Sequence, residues 1–367
     1  MTKREMNLKV FQGKNLPHIF FQPRMEPWFA WHRQFKTLPP EFQHATLLDF
    51  YDRLDVSMRY IHYYSDIPDP VVRDYSRDVK IQEQQKDERL IITYHTPLGP
   101  LVEVQKWTVD RTWRTVDFPV KNPDDLKRLK WLYDNTRFTF NPKHFEQGAR
   151  FVAERGEPQF WLPKSPYQSL CQTWMKLESF IYALMDEPHL VEEVFAAIDA
   201  SYDPLYRAIA GSRQVKIINF GENIHVNLLS PDYFERYFIP FYQKRSTQMR
   251  EAGIYTHVHI DGYFKPLLKY LPSLPFDGYE ALTPLPQGDV TVEEMKDHIG
   301  DKVLLDGIPA ILFLDHHPME DLQRCVEKLC SLFAPRLILG ISDELPEAAT
   351  ATGIERVRWV VEYCRKH

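Results

Sequence analysis

The sequence predicts an α/β protein, a closed (β/α)8 barrel with an N-terminal helical and β-hairpin excursion. Three observations predict it. From about residue 157 onward the chain repeats a strand, a loop and an amphipathic helix, and helices of this length between strands imply parallel βαβ units. A short apolar run at residues 18–22, closed by proline, brings the strands to seven, with an eighth plausible. No GxGxxG or P-loop pattern follows any strand, so a closed barrel fits better than an open nucleotide-binding sheet.

The 367 residues suit one such barrel, read as a single domain over 1–367 with residues 41–150 as an insertion within it. With 44% hydrophobic and 26% charged residues and a net charge of -6, the chain is neither disordered nor a coiled coil. No basic block stands out, so no nucleic-acid partner is expected. Four irregularly spaced cysteines resemble neither a disulfide framework nor a zinc knuckle, which points to a reducing, cytoplasmic setting. The N-terminal MTKREMNLKVF lacks the apolar run of an export signal, and no uncharged stretch is long enough to cross a membrane. Aromatics reach 14%, and prolines (28) are twice as frequent as glycines (14), which predicts short proline-bounded segments and aromatic-lined pockets.

In chain order, LPHIFFQPRM reads as a buried strand ending in a loop and is followed by the aromatic cluster PWFAWHR. Residues 41–64 have helical spacing. Residues 88–120 alternate as a β-hairpin around the turn Thr96-Pro-Leu-Gly99. NPDDLKRLKWLYD opens with a capping signal and continues as a helix. The remaining strands are predicted over 159–163, 215–220, 254–260, 276–282, 302–305 and 336–339. Helices are predicted over 175–185, 188–209, 231–252, 264–271, 292–299 and 318–333.

In a barrel of this kind the carboxyl ends of the strands face the active site. There the sequence supplies Glu222; then Tyr255, His257, His259 and Asp261 on one face by the two-residue period; then Glu280, Asp306, and Ser342-Asp343-Glu344. Carboxylates converging with imidazoles are costly unless a cation neutralises them, and a divalent metal would do so. Against this, His257 reads as a packed barrel residue, Asp261 before Gly262 as a helix cap, and Glu222 and Glu280 as partners of lysine or arginine. Asp66 in SDIPDP reads either as a general acid or as an ordinary turn. Cys325 and Cys330 read as core, and His316-His317 as a solvated cap.

The segments GENIHVNLLSPDYFERYFIPFYQ, THVHIDGYFKPLLKYL, FDGYEALTPLPQGDVTVEEM, DKVLLDGIPA and RLILGISDELP together resemble the uroporphyrinogen decarboxylase superfamily, whose fold is a TIM barrel. The resemblance is strongest over residues 157–365. That superfamily holds cofactor-free decarboxylases of tetrapyrrole acetates and zinc-dependent methyltransferases that work with corrinoid proteins. The arginine-rich segment of the decarboxylases is reduced here to Arg24 and Arg33, although Ser65-Asp66-Ile67 still looks like their catalytic aspartate segment. Where the methyltransferases show His-x-Cys-Gly and a later Cys, this chain has His259-Ile-Asp261-Gly262 and Ser342-Asp343. The resemblance therefore implies a zinc-dependent O-demethylase methyltransferase with oxygen ligands in place of thiolates. It would move a methyl group from a small-molecule donor, a methoxylated aromatic, to the Co(I) of a separate corrinoid protein. Glu222, His259, Glu280 and Asp343 would bind zinc, with Asp261 as a catalytic or orienting group. Arg24, Trp28, Phe29 and Trp31 would bind the substrate, and a second copy of the chain is allowed for as a homodimer. The alternative is a porphyrinogen-type decarboxylase using Asp66.

Overall fold

Runs such as Val303–Pro309 and Leu337–Ser342 are buried at every position, so both faces of each strand need covering, which parallel pairing between helices provides. The computed structural model describes residues 1–367, and the chain divides into two compact units. The first gathers Met1–Pro70, Pro142–Leu162 and Arg213–His367; the second gathers Val71–Asn141 and Pro163–Ser212.

The first unit holds a six-stranded sheet in chain order: Trp161–Leu162, Ile217–Ile224, Tyr255–Ile260, Gly278–Glu280, Val303–Pro309 and Leu337–Ser342. Every neighbouring pair is parallel. Helix Ile239–Glu251 packs on Tyr255–Ile260, and Met319–Phe333 packs on both Val303–Pro309 and Leu337–Ser342. At the amino end of the sheet, Met6, Val10 and Phe11 of helix Lys3–Phe11 join Phe20, Ile217, Val303, Leu305 and Ile338 in one apolar cluster. That end is sealed by hydrophobic contact, which leaves the carboxyl ends as the place for polar chemistry.

Of the closed eight-stranded barrel expected, the structure shows a mixed α/β fold with six strands in regular parallel ladders. Residues 18–22 contribute a single bridge, Phe21 to Leu339, and Tyr60 bridges Gln159 at the other edge. Ser57 N–H donates to the Phe21 carbonyl at 2.9 Å. Pro17 and Pro23 flank the first segment and lack the N–H groups a longer ladder needs.

Other boundaries shift for local reasons. Within 41–64 the α-helix covers only Leu47–Leu54; it is capped by Thr46 and ends at Asp55, which takes a left-handed conformation. The helix expected over 188–209 is two, Pro188–Ser201 and Asp203–Ser212, divided just before Pro204. Lys265–Ser273 winds as a 3-10 helix. Five residues before Ile239–Glu251, Phe234–Phe238, wind as a π-helix ahead of Pro240, which has no N–H to donate.

The second unit contains a four-stranded antiparallel meander, Lys80–Lys86, Arg89–Thr96, Gly99–Trp107 and Trp113–Asp117, and a separate pair, Val71–Tyr75 with Thr136–Phe140. The turn expected at Thr96–Gly99 joins the second and third strands of the meander. Helix Pro123–Asp134 is capped by the Asn122 side chain and packs on Pro188–Ser201. No helix in the chain is long and apolar enough to cross a membrane.

Gly340 lies where the Leu337–Ser342 strand passes beneath Asp306. A Cβ there would sit 2.2 Å from Asp306 Oδ1 and 2.9 Å from the Gln22 carbonyl. Gly340→Ala is expected to destabilise the fold by about 1–3 kcal/mol through overpacking, measured by urea unfolding.

Candidate active site

Strand register decides which polar side chains meet. Glu280 stands opposite His259 on one neighbouring strand and Leu305 on the other. Alternation along Tyr255–Ile260 turns His257 and His259 to one face, and their Nδ1 atoms lie 3.5 and 3.6 Å from the same Glu280 oxygen, Oε2. Asp306, with φ +78°, takes a backbone conformation that non-glycine residues seldom adopt, and its carboxylate joins the same interior.

The counter-charge comes from Arg59. Its Nη1 donates to Glu280 Oε1 at 2.7 Å and to Asp306 Oδ2 at 3.0 Å, and Nη2 donates to Asp306 Oδ1 at 2.8 Å. Nε donates to Gln22 Oε1 at 3.0 Å, and Gln22 Nε2 in turn donates to Asn7, Ser57 and the Met58 carbonyl. Arg59, Glu280 and Asp306 are 1%, 0% and 0% exposed. In so dry an interior each charge relies on the others. Tyr60 O–H donates to the Glu280 carboxylate at 2.6 Å, its ring stacks on Trp161 with centroids 3.8 Å apart, and Asn219 Nδ2 donates to both Tyr60 and Glu280.

The network shifts the titrating groups in opposite directions. Burial alone would raise the Glu280 carboxyl, but Arg59 and the His259 imidazole hold it well below the usual carboxylate range. Burial likewise opposes charge on His259, yet its hydrogen bond and charge interaction with Glu280 outweigh that and raise its pKa. His257 is pushed down to about 3, chiefly by burial with Arg59 and His259 adding to it, and so stays neutral; its Nε2 meets Gln159 Oε1 at 2.7 Å. His259 is 5% exposed and reaches toward Asp343, whose Oδ1 lies 3.8 Å from its Nε2. The Asp343 side chain, 49% exposed, forms the solvent-facing lip, where Arg24 donates to both its carboxylate and its carbonyl.

Zinc was expected on Glu222, His259, Glu280 and Asp343, and as placed these residues do not fit it. No group of three or more His, Cys, Asp or Glu side chains converges in a way that could hold a metal ion. Glu280 is engaged by Arg59, Tyr60 and Asn219, and Asp343 is engaged by Arg24. Glu222 is buried in Ile217–Ile224 at the stretch where the ladder to the next strand is interrupted. The alternative reading of Glu280, an arginine partner, is the one the structure adopts.

The other candidates separate. Asp261 is half-buried and donates its N–H to the Ile224 carbonyl, while Asp289 caps the following helix through the Phe264 and Lys265 N–H groups. Asp66 is exposed in a bend beside Ser65. Arg24 is buried against Asp343. Trp28 stacks on Phe50 and donates its indole N–H to the Ala349 carbonyl at 2.8 Å, and Phe29 packs on Phe50 as well, so both belong to the core rather than to a substrate wall. Trp31 is half-buried against Phe35. Sequence reasoning missed Arg59, Tyr60, Asn219 and Gln159. The available signal was an arginine inside the otherwise apolar run VSMRYI, since a charge in such a run needs a buried partner.

No family model matches the chain, and no curated protein matches it in sequence. Among solved structures, a methyltransferase from Methanosarcina mazei is similar with a TM-score of 0.61 at 11% identity, over 99% of each chain. A B12-independent methionine synthase from Shewanella sp. W3-18-1 aligns with a TM-score of 0.41 at 13% identity, over 86% of this chain and 85% of that one. The first likeness is one of fold.

Two outcomes follow from the network. Arg59→Met leaves two buried carboxylates without their cation and is expected to lower unfolding free energy by about 3–5 kcal/mol in denaturant titration. Because the His259 pKa is raised by folding, its contribution is fully present below the unfolded value of about 6.5 and is lost as pH rises through the folded value. A profile of Tm against pH should therefore fall more steeply on the alkaline side in the wild type than in His259→Gln.

Proposed function

We propose that the protein transfers a methyl group from an oxygen of a small donor, a methoxylated aromatic in the reading the sequence favours, to the Co(I) of a separate corrinoid protein. The observation that carries this reading is the His259 imidazole, held by Glu280 at the carboxyl end of its strand and presented toward the Asp343 lip. The corrinoid, carried by its own protein, supplies the nucleophile for the methyl carbon.

Breaking the bond between methyl carbon and oxygen leaves the electron pair on oxygen, and the chain's part is to stabilise that charge. His259 Nε2–H donates to the departing oxygen and gives up its proton as the bond breaks, so the product leaves as a neutral phenol. Glu280 stays ionised, orients the ring through Nδ1 and stabilises its protonated form; Tyr60 and Asn219 hold Glu280 in place. A proton thus does the work expected of a Lewis acid, and no step passes through zinc.

A second reading, decarboxylation of a porphyrinogen-like carboxylate, draws on one observation: Arg24 is held at the lip by a carboxylate that a substrate's own could replace. In that reading Asp66 would be the catalytic acid.

The test mixes the protein with a reduced corrinoid protein and a series of methoxyarenes while following the cobalt absorbance. Demethylation is expected, with His259→Gln lowering kcat/KM by about 10²–10⁴-fold for donors that leave as basic phenolates, and by less for electron-poor ones. No absorbance change with any donor, together with release of carbon dioxide from a porphyrinogen without corrinoid, would favour the second reading.

A further inference from the structure

We infer that the open face of the second unit's meander receives helix Leu177–Asp186 of a second copy of the chain, each copy giving its helix to the other's sheet. The inference does not depend on which donor or acceptor the protein uses.

The sheet half of this contact is invisible in the sequence and is assembled by register. Lys86 stands opposite Arg89, Arg89 opposite Lys106, and Lys106 opposite Arg114. Residues directly opposite in antiparallel strands share a face, so four cations form one row across four strands, about 14 Å long at the usual strand spacing. Like charges in such positions destabilise a sheet. Only Arg114 has an acid to offset this, Asp110 at 2.7 Å. Lys86, Arg89 and Lys106 are exposed and make no ion pair, not even with Asp87 and Glu88 in the turn that joins the first two strands. Beside the row on the same face, Ile91 and Val104 stand opposite each other, with Val102 and Val116 exposed next to them. The other face is the one packed inward: Tyr94 and Leu101 are buried opposite each other, and Tyr94 packs on Trp174 with ring centroids 5.4 Å apart.

Helix Leu177–Asp186 supplies the complement. Glu178, Tyr182, Met185 and Asp186 recur at helical spacing and share one side of it, while Phe180 and Leu184 are buried on the other. Tyr182 is 58% and Met185 67% exposed, large values for apolar side chains, and Glu178 and Asp186 make no ion pair. The two acids stand about 12 Å apart along the helix axis, within the length of the cation row. Laid across the strands, the helix sets its acids on the row and its Tyr182 and Met185 on the valine shelf beside it. Two such contacts related by a twofold axis close a dimer and leave neither patch open.

The experiment is sedimentation equilibrium of the full chain at micromolar concentration, in about 0.1 M and about 1 M salt, between which the screening length falls from about 10 Å to about 3 Å. The wild type is expected to be dimeric at the lower salt and to dissociate at the higher. Arg89→Glu/Lys106→Glu makes the sheet acidic, and Glu178→Lys/Asp186→Lys makes the helix basic; each is expected to raise the dimer Kd about tenfold or more. An equal mixture of the two variants should associate as the wild type does, because opposite charges then meet at both contacts. All four positions are exposed, so each variant alone is expected to keep the wild-type Tm. If either does not, Arg89→Gln/Lys106→Gln and Glu178→Gln/Asp186→Asn take their place, and each should still weaken the dimer.

A wild type that stays monomeric at the lower salt overturns the inference, including one that instead binds phosphatidylglycerol vesicles or a single-stranded oligonucleotide through the same cations. So does a dimer that neither variant weakens, or a mixture of folded charge-reversed variants that stays monomeric.

Discussion

A guanidinium removed from water must find its counter-charges within reach or the fold that buries it is not stable. Arg59 meets that condition through Glu280 and Asp306. Much of the surrounding structure follows from it. Gln22 must offer its oxygen to Nε, Gly340 must lack a side chain so that Asp306 can approach, and Tyr60 and Asn219 must satisfy the remaining Glu280 lone pairs. Helix Lys3–Phe11 closes the amino end with apolar contacts, and the half-exposed Asp343 side chain marks the solvent side of the polar cluster.

The same interaction sets the chemistry at the lip. An ionised Glu280 inside a protein favours charge on any imidazole beside it, and two histidines stand there. Their pKa values shift in opposite directions because their surroundings differ. His257 is fully buried next to Arg59 and stays neutral, whereas His259 lies farther along the strand and gains more from Glu280 than it loses to burial. One carboxylate thus stands beside a neutral ring inside and a ring at the rim whose protonation it favours.

Much of this was legible in the sequence, and the losses have physical causes. Apolar runs such as KVLLDGIP and RLILGIS announce strands buried on both faces, and the rule that strand ends carry the chemistry brought Glu280, His259, Asp306 and Asp343 into view. The cation that joins them lies 221 residues from Glu280 and 247 from Asp306, and a single sequence carries no local trace of pairings at that range. A metal was the economical neutraliser only while Arg59 stayed unnoticed. The aromatic cluster after residue 26 shows a second limit: composition cannot tell a ring that walls a pocket from one that fills a core, and Trp28 and Phe29 do the latter. Strand Lys80–Lys86 gave no signal because all of it is exposed and its residues do not alternate.

The interlocking of Gly340, Asp306, Arg59 and Gln22 also bears on how such an interior changes over evolutionary time. Each member is tolerable only because the others are what they are, so a lineage altering one position would cross a valley of poorly folded intermediates before a second change restored it. Descendants of this chain should therefore keep the quartet or replace it together, and ancestral reconstructions along the branch should show these sites switching in concert.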